Sequence, residues 1–273
     1  VSMILVPVGA GQSYQSTDFG PLIVQGGRHT WEVLHDPLDQ ILESNEIDNW
    51  WAHQFVFTPY VLAPATPVAR SAPPDMYGGV GSIVDGSPWY SNCDGFRFTS
   101  TGWWNVMVLS DVEQGEDCDL ELFVPSTGSE DGFLSPLTGS YMGADQLDAL
   151  VVNKNMVGIT DYDVGVTRYS GISSFDIEQV VSDPAGVGTS MEVAFADGEM
   201  LKIWDTYVGS TGWVTVAVTD PLRTGQDFWV GWYDYNIRET DLWGTAHQAR
   251  MDEGGEIRLH VNVSTQAYYG LVV

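Results

Sequence analysis

Short runs in which apolar and polar residues alternate recur from one end of the chain to the other. Phe96 and Phe98 alternate with Arg97 and Thr99, and Val214, Val216 and Val218 stand opposite Thr215 and Thr219. Alternation with a period of two puts each set on its own face of a pleated strand, so these runs predict half-buried strands. Apolar spacings of three and four residues are hardly ever sustained, and 30 glycines interrupt the chain. Helix is therefore expected only as short turns, around Pro37 to Glu46 and Ser190 to Met200.

The pattern changes character between Tyr60 and Pro88, where Pro, Ala and Gly dominate as in a linker or a long extended connection. Beyond it lies an internal repeat. Ser-Thr-Gly-Trp occurs at Ser100 to Trp103 and again at Ser210 to Trp213, and Gly115 and Asp117 meet Gly225 and Asp227 at the same offset of 110 residues. Each copy reads as strand, Gly/Asp turn and strand, which predicts a hairpin. The expected fold class is all-β, with tandem β-sandwiches: a β module over 1–62, a connection over 63–83, one sandwich over 84–171 and a related one over 172–273.

Composition bears on partners. The chain has 273 residues, 44% hydrophobic and 12% aromatic, which is ample for packed cores. Its 37 acidic residues against 10 basic ones give a net charge of −27. Such a surface repels phosphate backbones and anionic lipid, so neither nucleic acid nor membrane insertion is expected, and cations are the natural partners. The acidity fits either an extracellular or salt-adapted solubility shell or clusters that coordinate Ca²⁺. No apolar run is long enough to span a bilayer, and no basic segment precedes an apolar one at the start. The chain is accordingly read as a mature product or a piece of something longer. Cys93 and Cys118 lack metal or redox spacing and head two predicted strands. They are a disulfide candidate across neighbouring strands or two buried thiols.

Gly27, Trp31, Val33, Asp36, Glu43, Ser44, Asn45, Glu46 and Asn49 form a strand, an acidic corner and the approach to another strand. This stretch resembles the closing part of the cell-adhesion-related Ig-like modules of bacterial and archaeal surface proteins. The resemblance covers about residues 1–60 and implies a module whose first strands are missing. A second resemblance rests on Phe96 and Phe98, Val106 and Val108, Asp119 to Phe123, and Tyr162 to Val166. These are similar to the jelly-roll modules of the pre-peptidase C-terminal type appended to secreted peptidases. It implies a non-catalytic module on a secreted or surface-attached protein. The second copy departs from the pattern, with Asp227 to Tyr233 in place of Asp-Leu-x-Leu-Phe.

Candidate chemistry centres on carboxylates. Asp111, Glu113, Glu116, Asp117 and Asp119 fall within nine residues of the first repeat's turn, and such a loop can offer the hard oxygens Ca²⁺ takes. Asp161 and Asp163, two apart on a strand, form a second candidate pair, and Glu43, Glu46 and Asp48 a third. Each cluster reads either as a Ca²⁺ site or as a solvated turn. Trp50 and Trp51, Trp103 and Trp104, and Trp229 and Trp232 supply rings for packing between units or for a glycan platform. Asn262 begins a glycosylation sequon. No Gly-x-Ser-x-Gly elbow, His-Glu-x-x-His, phosphate loop or dinucleotide fingerprint occurs, so no catalytic activity is expected.

The expectation is an extracellular structural or adhesion protein that assembles with like subunits or neighbouring modules at a cell surface or in a filament or layer, with Ca²⁺ stiffening it. The alternative is a polysaccharide-binding, non-catalytic module of a secreted enzyme. An incomplete Ig-like unit leaves a sheet edge open to a strand from elsewhere.

Overall fold

In a computed structural model of the chain, described residues are 24–34, 50–71, 81–82, 88–89, 92–110, 112, 114–125, 132–144, 146–154, 156, 160–171, 174–195, 199–219, 228–245, 247–251 and 255–273. Side chains are described for all of these except 31–34, 50–51, 71, 81–82, 88–89, 228 and 251. Every regular element among them is a strand, as the alternation predicts. No helix among them is long and apolar enough to cross a membrane. Residues 190–195 of the segment expected to hold a helical turn carry none, and 37–46 lie outside the described residues.

The strands stack in four layers. The first sheet runs β10 (Thr138–Ser140), β9 (Asp117–Phe123), β12 (Asp161–Ser170), β7 (Cys93–Thr99), β1 (Gly27–Leu34) and β2 (Trp50–Phe57), with β3 (Tyr60–Val61) parallel to β7. The second runs β18 (Glu239–Asp241), β11 (Asp148–Asn153), β8 (Trp104–Ser110), β13 (Ser174–Val181) and β4 (Val68–Ser71). A third contains β14 (Asp183–Gly186), β15 (Ile203–Val208), β21 (Ala267–Val272), β17 (Phe228–Tyr233) and β19 (His247–Met251). The fourth is the antiparallel pair β16 (Gly212–Thr219) and β20 (Glu256–Val263). A small ladder joins β5 (Gly81–Ser82) to β6 (Pro88–Trp89).

Three cores fill the spaces between layers. Phe96, Phe98, Leu120, Leu122 and Tyr162 of the first sheet meet Met107, Leu109, Leu150 and Phe175 of the second. The opposite face of the second sheet, with Trp104, Val106, Val108, Ala149 and Val151, packs on Ile203, Tyr233 and Val272 of the third. Val230, Trp232 and Tyr269 of the third sheet then meet Ile257, Leu259 and Val261 of the fourth layer. β8 is thus apolar on both faces because each covers a core, the condition that turns an alternating strand into a continuous apolar run.

Pairing crosses the boundaries expected from sequence. β1 joins β7 through Gly27 opposite Asp94, and β4, within the stretch read as a connection, pairs with β13. β13 itself begins just after residue 171 yet pairs with β8, and β18 adds to β11. Both repeat copies differ from the expected hairpin. β8 and β9 belong to different sheets, as do β16 and β17, so each copy is an arch that crosses a core. A Gly/Asp turn of this length fits an arch as well as a hairpin, and strand partners decide between them.

The contact of β1 with β7 depends on a close approach of two backbones. A Cβ on Gly95 would sit 2.5 Å from the Cα of Gly27. Gly95→Ala is expected to cost about 1–3 kcal/mol by overpacking. It should remove amide exchange protection from β1 and β2, while the pairing of β16 with β20 stays protected; unchanged protection in β1 would contradict this reading.

Candidate functional site

Three carboxylates gathered from two sheets form the best-organised polar cluster among the described residues. Asp117 and Asp119 lie two apart on β9, so they share a face of that strand. Asp148 opens β11 in the next sheet. One carboxylate oxygen from each lies within 4.8 Å of the others. Asp148 is buried, and its Oδ1 accepts hydrogen bonds from Ser140 Oγ at 2.7 Å and Met142 N at 3.0 Å. Beside the cluster is a cavity of about 270 Å³, walled by Leu109, Val112, Leu147 and Met200 with Glu116 and Gln146 on its polar side.

The electrostatics follow from this geometry. Burial, then the negative charges of Asp117, Asp148 and Glu121, push the Asp119 carboxyl up to about 7. Burial raises Asp148 to about 6, against the opposing hydrogen bonds from Met142 and Ser140, and Asp117 is raised by burial as well. Three anions this close cannot all stay ionised without a proton or a cation among them. The donor set is hard oxygen only, which fits Ca²⁺ or Mg²⁺ and not a soft metal. Two ligands each about 2.3–2.6 Å from a shared Ca²⁺ can be at most about 5 Å apart, and the spacing meets that limit. Three carboxylates can supply three to six of the six to eight oxygens that Ca²⁺ takes.

Other sequence candidates are distributed differently. Asp163 is buried and receives two hydrogen bonds from Arg97, Nε to Oδ1 at 2.6 Å and Nη2 to Oδ2 at 2.9 Å, while Asp161 accepts from Thr99 Oγ1. The expected cation pair is therefore committed to strand-to-strand contacts. Glu116 lines the cavity, whereas Asp111, Glu113, Glu43, Glu46 and Asp48 lie outside the described residues. Cys93 and Cys118 do not form the candidate disulfide; both remain buried thiols. β12 runs between their strands, so they stand two strand spacings apart, about 9.6 Å and too far for an S–S bond. They also point into different clusters, Cys93 beside Phe123 and Phe133 and Cys118 into the core between the first two sheets. Burial pushes the Cys93 thiol up to about 12, leaving it inert at neutral pH.

Aromatic rings mostly join layers. Trp104 and Trp232 are fully buried, and Trp229 donates to Gln248 and meets Trp243 edge-on. Trp103 stacks on Tyr268 at 4.3 Å and 11°, and Tyr207 meets the same ring tilted by 44°. Trp50 and Trp51 belong to β2, and Asn262 is exposed on β20.

Asp148 is the functional candidate that sequence reasoning passed over. Its only local signal is an acid at an inward position of the apolar run Ala149 to Val152, the reverse of the usual choice there. Compared with known proteins, the chain matches no family model and no curated protein.

Proposed function

We propose that the chain is a structural building block of an extracellular or cell-surface assembly, with Ca²⁺ held by Asp117, Asp119 and Asp148 clamping its first two sheets together. The observation that carries this reading is the convergence of carboxylates from β9 and β11, strands of different sheets, on one point. A divalent ion there neutralises the repulsion and ties the layers where Ser140 and Met142 already fix Asp148. The four-layer β stack, the net charge of −27 and the resemblance to adhesion and appended secreted modules all suit a stiff spacer that works among like subunits. No bond-making step is assigned to the chain in this reading.

Thermal melts at pH 7 in excess chelator and then in millimolar CaCl₂ test the clamp. A ligand present at a hundred times its dissociation constant stabilises by about 2.7 kcal/mol, which in a chain of this size corresponds to roughly 5–10 °C. A rise of that order is expected, and it should be absent in Asp148→Asn. Coincident melts of the parent protein in the two conditions would overturn the clamp.

A further inference from the structure

Among the described residues the fourth layer has two strands over a third sheet of five, and its cover is uneven. On β20 the inward residues Ile257, Leu259, Val261 and Val263 are buried. Their partners on β16, Val218 opposite Ile257, Val216 opposite Leu259 and Val214 opposite Val261, are only half-buried although they face the same core. The shortfall is therefore on the side of β16 away from β20, where no other strand pairs among the described residues. β16 itself carries none of the sequence devices that keep sheet edges apart. β16 is eight residues long, in continuous register, and contains no Pro and no charged residue in a chain with 37 acids.

We propose that β16 is a self-association edge, and that two copies of the chain pair antiparallel along it about a two-fold axis through Val216. The inference rests on the assembly reading and names its surface. A second copy fits this edge for two reasons. Two chains of charge −27 repel over most of their surfaces, and β16 is a stretch where they meet without opposing like charges. The sequence around Val216 is also self-complementary. With Val216 opposite its own copy, Val214 meets Val218 of the second chain, and Thr215 meets Ala217. All valines then lie on the core side, and the threonines and Ala217 on the outer side. The two fourth layers merge into one four-stranded sheet, each half-buried valine gains a neighbour, and the interface is isologous, as a closed dimer requires.

This register makes a charge test possible on the exposed face, where Thr215 and Ala217 do not enter the core. Residue 215 of one copy faces residue 217 of the other. Thr215→Glu with Ala217→Glu sets two like-charge pairs across the axis, whereas Thr215→Glu with Ala217→Lys sets two opposite-charge pairs. Light scattering of the parent chain over a concentration series is expected to show a dimer that strengthens between 0.1 and 1 M NaCl, as repulsion is screened. The double-Glu variant should weaken it about tenfold or more, the Glu/Lys variant should restore it, and the melting temperatures of all three should agree within a few degrees. Assembly of the parent that persists unchanged in the double-Glu variant would overturn the β16 edge while leaving the assembly reading in place. A parent chain that stays monomeric at every concentration and salt would overturn both.

Discussion

Stability measured without divalent cations is expected to fall as the pH is raised from about 4 to about 7, and Ca²⁺ is expected to reverse that fall. In the unfolded chain the three aspartates lose their protons near their ordinary value of 3.8, whereas the folded protein holds the Asp148 proton to about 6 and the Asp119 proton to about 7. The folded state thus binds more protons through this window. Since stability rises with pH only where the unfolded state binds more, this cluster lowers stability steadily from about pH 4 to pH 7. The charges that act on Asp119, those of Asp117, Asp148 and Glu121, are all negative and add to the trend. Calcium changes the sign, because it binds only the deprotonated carboxylates and its stabilisation grows over the same range. Denaturant melts at several pH values, each with chelator and with CaCl₂, should give curves that agree near pH 4 and diverge toward pH 7. Asp119→Asn should flatten both; curves that run parallel at every pH would contradict the account.

A second large effect is expected at the pair that the sequence offered as a cation site. Arg97→Ala leaves the Asp163 carboxylate, 1% exposed, in the first sheet without its guanidinium partner. Removing one member of a buried ion pair costs about 3–5 kcal/mol. With Arg97 itself 31% exposed, solvent screens part of the loss, so the low end, about 3 kcal/mol, is expected. Replacing both residues with apolar ones of similar volume, Arg97→Met with Asp163→Leu, should recover most of it, because the orphaned charge is gone. A urea melt of the single variant within about 0.5 kcal/mol of the parent would show that the pair contributes little.

Much of the fold was legible because strand alternation is a local property. The β20 run Ile257, Leu259, Val261 and Val263 alternates with exposed Glu256, Arg258, His260 and Asn262 as a half-buried strand should. The layering was not legible. Trp104 to Leu109 reads locally as one strand, and nothing within it says that Val106 and Val108 serve one core while Met107 and Leu109 serve another. The repeat was visible as Ser-Thr-Gly-Trp, yet the choice between hairpin and arch lay with the partners of β8 and β16, more than 30 residues away. The candidate site divides in the same way. Asp117 and Asp119 stood out in an acidic turn, but Asp148 completes the cluster from another sheet, across a separation that neither spacing nor periodicity reports. Asp163 misled for the converse reason: its spacing from Asp161 suggested a shared cation, and the cross-strand residue Arg97 had already taken it.

Calorimetric titration of Ca²⁺ into the chelator-stripped protein at pH 7, with Asp148→Asn titrated alongside, tests the clamp between the sheets most directly. The account predicts one saturable site in the parent chain, binding coupled to proton release, and loss of that site in the variant. Absence of binding heat, or the same isotherm from Asp148→Asn, would contradict it.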